Sequence, residues 1–276
     1  MSIKRVAAIH DMSGYGRCSL TVAIPIISVM GIQVCPLPTA YLSTHTGGFT
    51  GYTFLDLTDE IKPISDHWAS LNINFDAVYS GFLGSQEQIF LVRDFIERFR
   101  TDSSIAVVDP VMADNGKPYP TYTPEMCRDM VILADSADLL TPNFTEASIL
   151  LGEDYENVPT EISGIENWVK RLSKDGKRSV IITGVSSCST DIGAACYDSK
   201  TGKTSFVMTD LIEGEYHGTG DVFASVVTGS LLRGENLKKA TRSAVDFVRD
   251  CAELACETGG QRRDGVDFEK LLKQLI

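Results

Sequence analysis

Short runs rich in β-branched and apolar residues alternate with helix-period segments along almost the whole chain. That alternation restricts the fold more than any other feature. The pattern predicts strands over 5–10, 33–38, 77–80, 105–109, 139–141, 180–183, 193–197 and 204–209. Between them it predicts helices over 19–30, 59–71, 86–99, 124–135, 145–151, 163–174, 219–232 and 237–257. Over 86–99 the apolar set Ile89, Val92, Ile96 and Phe99 recurs at steps of three and four, the stripe of a helix with one buried face. The runs 105–109 and 180–183 are apolar on both faces, as strands become when helices cover both sides of a parallel sheet. Such alternation argues for an α/β/α sandwich around a mostly parallel sheet. The stretch 191–209 breaks the pattern, because two strand-like runs are joined by Asp198-Ser199-Lys200-Thr201-Gly202. That is a hairpin signal and predicts an antiparallel edge. No Pro/Ser-rich linker or internal repeat divides residues 1–276, so one domain is expected.

Charge and cysteine usage narrow the function classes. Lys and Arg number 25 against 37 Asp and Glu, a net charge of −12. A general nucleic-acid or membrane surface needs a basic face, which this balance does not supply. Nucleotide binding stays open, since backbone dipoles and metal ions can provide local positive potential. The 7 cysteines are scattered and never spaced as Cys-x-x-Cys, arguing against zinc and for reduced thiols. The N-terminal residues run directly into a strand without a signal-peptide pattern. The apolar run 20–30 is interrupted by Thr21, Pro25 and Ser28 and is too short for a bilayer. A cytoplasmic protein is expected.

The chemistry concentrates in His217-Gly218-Thr219-Gly220-Asp221, which leads into a buried-helix pattern. A helix start offers unpaired N–H groups and the positive end of the helix dipole to an anion. The glycines let that backbone approach a phosphate closely. A carboxylate beside an anion cradle repels phosphate, but it is well placed to take a proton from a hydroxyl attacking one. A loop with an Asp cap would leave the same tetrapeptide, so other motifs must decide. Polar clusters also follow the predicted strands: Asp109-Pro110-Val111-Met112-Ala113-Asp114, Thr141-Pro142-Asn143-Phe144-Thr145-Glu146, and Thr183-Gly184. Ligands of open α/β sheets gather at such carboxyl ends, and oxygen donors of this kind suit a water-rich Mg²⁺ near phosphates. Gly202-Lys203-Thr204 imitates a P-loop tail inside a hairpin, and Gly14-Tyr15-Gly16-Arg17 lacks the third glycine of a dinucleotide fingerprint.

Taken in order and spacing, Asp109-Pro110-Val111-Met112-x-Asp114, Thr141-Pro142-Asn143-x-x-Glu146 and Gly218-Thr219-Gly220-Asp221 resemble the ribokinase superfamily. Ser43-Thr44-His45-Thr46-Gly47, Ser80-Gly81-Phe82-Leu83-Gly84-Ser85 and the lack of a separate lid sheet after the first strand resemble its pyridoxal (vitamin B6) kinase branch. The resemblance implies a ribokinase-like sandwich without a lid domain. It further implies ATP-dependent phosphorylation of a vitamer hydroxymethyl group, Mg²⁺ with K⁺ as a further candidate, and a homodimer. Asp221 would be the catalytic base, with Gly218, Thr219 and Gly220 as anion hole. Asn143, Glu146 and Asp109 would organise Mg²⁺. Thr141, Thr183, Thr219, Asn143, Asp109 and Asp114 would contact the nucleotide. Asp11, Thr46 and Phe82 would line the ring pocket together with Asp221. The pattern departs from that branch at Asp11, where a serine is usual. Asp11-x-Ser13-Gly14 resembles the hydroxymethylpyrimidine kinases instead, and a carboxylate there pairs with a ring amine or a protonated ring nitrogen. That kinase and a non-catalytic vitamer- or nucleotide-binding protein are the alternatives. His45 and His217 are expected as spacers, and Arg17 as a phosphate contact or a surface residue.

Overall fold

Strand pairing turns the alternation into one nine-stranded sheet. The computed structural model describes residues 3–214, 216–259 and 261–276. The strands are β1 (Arg5–Ser13), β2 (Gln33–Leu42), β3 (Phe54–Asp56), β4 (Ala77–Ser80), β5 (Ile105–Val108), β6 (Ala113–Asp114), β7 (Lys117–Pro118), β8 (Leu139–Leu140), β9 (Ser179–Val185), β10 (Asp191–Asp198) and β11 (Lys203–Asp210). The helices are α1 (Leu20–Val29), α2 (Thr58–Ser70), α3 (Gln86–Phe99), α4 (Pro124–Ala134), α5 (Phe144–Leu151), α6 (Ile162–Leu172), α7 (Thr219–Leu232) and α8 (Leu237–Thr258). The sheet order is β11-β10-β9-β8-β5-β4-β1-β2-β3, with β6 and β7 as a separate two-stranded ribbon. Strands β2, β1, β4, β5, β8 and β9 run parallel. The hairpin β10–β11 closes one edge antiparallel to β9, and β3 closes the other antiparallel to β2.

Alternating strand residues divide two cores. On one face Ile9, Val78, Val108 and Ile182 pack under α2 to α6. On the other, Val6, Tyr79, Val107 and Ile181 pack under α1, α7 and α8. The layers are therefore helix, sheet, helix. Local chemistry sets several helix starts. Ser85 caps α3 by accepting from the Gln88 amide, and Thr123 caps α4 ahead of Pro124. Asn143 and Glu146 form a reciprocal capping box on α5.

Three features depart from the sequence expectation. Strands β1 and β2 run on to Ser13 and Leu42, with a register slip between His10 and Met12. The bulge re-aims Asp11, which strict alternation would have placed differently. The short strands β3, β6 and β7 carry no local signal, because pairing with a distant partner creates them. The third feature is topological. The chain steps from β1 outward to β2 and then returns to β4 on the other side, so the strand order reverses at β1. The crevice at such a switch point is where open α/β sheets hold ligands.

Candidate active site

A cavity of about 490 Å³ opens along the carboxyl ends of β5, β8 and β9. Asp109, Asp114, Thr141, Asn143, Glu146, Thr183, Gly218, Thr219, Gly220 and Asp221 all line it. The sheet thus brings together residues drawn from four separate motifs. Gly218 caps α7 at φ 76°, and Asp221 sits in the first turn. The helix leaves the amides of its first turn without helical partners, and they face the cavity as an anion cradle. Two constraints make Gly218 obligatory. Its φ is left-handed, and a Cβ there would lie 1.9 Å from the Arg17 carbonyl oxygen. Leu211, Ile212, Val245 and Val248 form an apolar wall. Arg249 of α8 is the one Lys or Arg side chain among the described residues lining the cavity.

The carboxylates crowd one another. Asp109 accepts from the Thr141 hydroxyl at 2.9 Å. Burial, then the charge of Asp221, pushes its carboxyl well above the usual range. Glu146 is raised in the same direction by burial and by Asp109, although the Met112 and Asn143 amides donate to its two oxygens at 3.1 and 2.9 Å. Burial lifts half-buried Asp221 to about 7, against a hydrogen bond from the Ser19 amide that favours the charged form. A carboxyl near 7 is matched to taking a proton at neutral pH. Asn143 is held on both sides of its amide, donating to the Ala113 carbonyl at 2.8 Å and accepting from the Glu146 amide at 2.9 Å.

The donor set fits a divalent cation held largely by other ligands. Asp109 and Glu146 are buried oxygen donors whose mutual repulsion a cation relieves. Yet no group of three or more His, Cys, Asp or Glu among the described residues forms a cage. Water and phosphate oxygens would have to complete the shell, as is usual for Mg²⁺.

Of the expected ring-pocket residues Asp221 lines this cavity, and Asp11, Thr46 and Phe82 do not. Asp11 is buried and accepts from Ser13 Oγ at 2.9 Å and from the Ser19 hydroxyl. Phe82 is buried edge-on against Tyr122, with ring centres 5.9 Å apart. Thr46 lies in the loop that abuts His217, where a Cβ on Gly47 would come 2.6 Å from His217 Nδ1. His45 Nε2 hydrogen-bonds the Arg263 carbonyl at 2.6 Å, and its ring lies 5.4 Å from that of His217. Arg17 turns away from the cradle and pairs with Asp267 and Glu269, each at 2.7 Å. Sequence reasoning missed Ser19, Arg249 and the 261–269 segment. A serine just before a helix reads as an ordinary cap, and nothing local links Arg17 to residues 250 positions later.

A phosphomethylpyrimidine kinase family model matches residues 26–265. A candidate phosphomethylpyrimidine kinase from Bacteroides thetaiotaomicron is 41% identical in a rhombohedral crystal form, with a TM-score of 0.94 over 100% of this chain and 94% of that one. Its orthorhombic form, with pyridoxal, is 42% identical at a TM-score of 0.92 over 99% and 96%. Pyridoxal kinase from Lactobacillus plantarum is 29% identical at a TM-score of 0.90 over 99% and 97%. Pyridoxal kinase PdxY of Leifsonia xyli is 26% identical over 92% of this chain and 90% of its own length. The chain therefore belongs to the phosphomethylpyrimidine kinase family, and its relatives place it with the pyridoxal kinases of the ribokinase-like superfamily.

Proposed function

We propose that this protein transfers the γ-phosphoryl group of ATP to the hydroxymethyl oxygen of a vitamin B6 vitamer, as a single kinase domain. The observation that carries the reading is Asp221, raised to about 7 beside the free amides of the first turn of α7. The hydroxymethyl O–H gives its proton to an Asp221 oxygen as its own oxygen attacks the γ-phosphorus. The phosphoryl bond to ADP breaks in line, and the amides of Gly218, Thr219 and Gly220 hold the charge that develops. A bound Mg²⁺ would neutralise phosphate charge, with Asp109, Asn143 and Glu146 as the residues that hold its waters. The wall of Leu211, Val245 and Val248 offers apolar surface to the adenine, and Thr141, Thr183 and Asp114 offer polar contacts to the rest of the nucleotide. No step forms a covalent enzyme intermediate. Positioning and electrostatics supply the catalysis.

The relative's crystal form with pyridoxal supports a B6 vitamer. The family description and Asp11 favour hydroxymethylpyrimidine as the second reading. We further place the protein in the cytoplasm as a homodimer. All seven cysteines are free, as a reducing compartment would leave them, and no helix among the described residues is long and apolar enough to cross a membrane. The homodimer and a K⁺ requirement rest on the family resemblance. A coupled ATP-consumption assay across pyridoxal, pyridoxine, pyridoxamine and hydroxymethylpyrimidine tests the function. Turnover of a B6 vitamer is expected, and a flat response to all four sinks the reading.

A further inference from the structure

We infer, on the kinase reading of the anion cradle, that the turn Arg262–Asp264 and Gly265 form a strap that holds the cradle in shape, with His45 as the positioning residue that ties it to the loop against His217. Topology brings the strap there. Helix α7 starts at the cavity, α8 packs back along it after a short connection, and Ala252 near the end of α8 lines the same cavity. The residues that follow α8 therefore emerge beside the mouth of α7.

Two loops flank that mouth, and the strap touches both. The first, 14–19, joins β1 to α1. Its Arg17 amide donates to the Asp264 carbonyl at 3.0 Å, and the Tyr15 hydroxyl donates to Asp264 Oδ2 at 3.0 Å. The second, 43–53, joins β2 to β3. There the Gly47 amide donates to His45 Nδ1 at 3.1 Å, while His45 Nε2 meets the Arg263 carbonyl at 2.6 Å. An amide N–H only donates and a carbonyl only accepts, so the ring is neutral with its one hydrogen on Nε2. The Arg263 guanidinium lies 4.9 Å over the Phe49 ring, which meets the rings of His45 and Tyr15 edge-on at 4.9 and 5.9 Å.

Each loop in turn backs the cradle. The Arg17 carbonyl is pressed between two glycines, since a Cβ on Gly218 would lie 1.9 Å from its oxygen and one on Gly265 would lie 2.9 Å from it. Gly265 takes φ 88°, so the strap can come this close only with glycine there. On the other side Gly47 lies against the His217 ring, which is 5.4 Å from that of His45. His217 and Gly218 are thus wedged between two loops pinned from outside by one strap. The cradle needs this support. Its amides stabilise developing charge only if they are already oriented, and Gly218 and Gly220 carry no side chains to fix them by packing.

The test compares His45→Phe, His45→Gln, Gly265→Ala and the double variant His45→Phe/Gly265→Ala with wild type, assayed well below each melting temperature. Phe keeps a ring against Phe49 but loses both nitrogens, and the methyl of Gly265→Ala pushes the strap off the Arg17 carbonyl. In both single variants kcat should fall on the order of tenfold, because small displacements of charge-stabilising groups are costly. The KM for ATP should stay within about twofold, since the apolar wall of Leu211, Val245 and Val248 is untouched. His45→Gln keeps an N–H for the Arg263 carbonyl and should recover most of kcat. The double variant should fall short of the product of the two losses, because both act on one strap. Hydrogen exchange read by mass spectrometry adds a measure that needs no turnover. The first hydrogen-bonded amides of α7, 222–226, should exchange at least about threefold faster in both single variants, with α3 and α5 unchanged. A merely structural strap predicts lower melting temperatures with kcat within about twofold of wild type, and that result overturns the inference. A raised vitamer KM with kcat kept, losses that multiply, or unchanged exchange at 222–226 each overturn it as well. Where Gly265→Ala does not fold, Arg263→Ala takes its place by removing the stack on Phe49 alone. A wild-type protein that phosphorylates no vitamer defeats the kinase reading instead, and the exchange rates then decide the strap by themselves.

Discussion

Replacing Asp221 with Asn should make the ligand-free protein more stable while abolishing most of its turnover. The carboxyl titrates near 3.8 in an unfolded chain and at about 7 in the fold, because burial disfavours its charge. A carboxyl raised by folding favours the native state fully below its unfolded midpoint. That contribution is lost progressively as pH climbs from about 4 to about 7. At ~1.4 kcal/mol per pH unit the rise sets a ceiling of about 4 kcal/mol. The residue is partly exposed where it lines the cavity, so water reduces the penalty and a gain of about 1–3 kcal/mol is expected at pH 8. Asn keeps the shape of Asp and carries no charge, so the variant isolates this effect. Urea denaturation of both proteins at half-unit steps from pH 4 to pH 8 measures it. The two midpoints should coincide near pH 4 and separate as pH rises. In parallel kcat should fall by about 10²- to 10⁴-fold, the usual contribution of a general base, with ATP affinity nearly intact. An Asn variant no more stable at pH 8, or equally more stable at every pH, would refute the buried-charge argument. Retention of most of the turnover would refute the base.

Gly218→Ala should cost about 2 kcal/mol or more and remove activity with it, because the added methyl meets the Arg17 carbonyl at 1.9 Å and the residue sits at φ 76°. Thermal melting and the coupled assay read both effects. Asn143→Ala should lower stability by about 1 kcal/mol through the lost α5 cap and raise the KM for ATP, since the same side chain anchors the Ala113 carbonyl. Tyr79→Phe should be neutral or stabilising by up to ~1 kcal/mol, because the buried Tyr79 hydroxyl faces Ser225 without reaching hydrogen-bond geometry. A large loss of melting temperature in that variant would mean the hydroxyl is satisfied by an internal water.

Residues whose signal is local were legible before any coordinates. The 191–209 hairpin, the apolar stripe of the 86–99 helix and the Gly218-to-Asp221 helix start each follow from a few neighbouring residues with strong conformational preferences. The gathering of Asp109, Thr141, Asn143, Glu146 and Asp221 around one cavity was also legible in outline. Parallel strands align their carboxyl ends, so motifs that follow successive strands must meet. Edge strand β3 was not legible, since its exposed residues acquire strand geometry only by pairing with β2.

The amino-acid sequence by itself determined the layered sheet, the order of its motifs and the presence of an acid at an anion-binding helix start. Those depend on hydrophobic period and on backbone preferences, which act over a few residues. Only the tertiary structure decided what surrounds that acid. It turned Asp11 through a bulge onto Ser19 and drew Arg17 off to Asp267 and Glu269. Such contacts depend on long-range packing, and burial, which lifts Asp221 to about 7, exists only once the chain has closed around it.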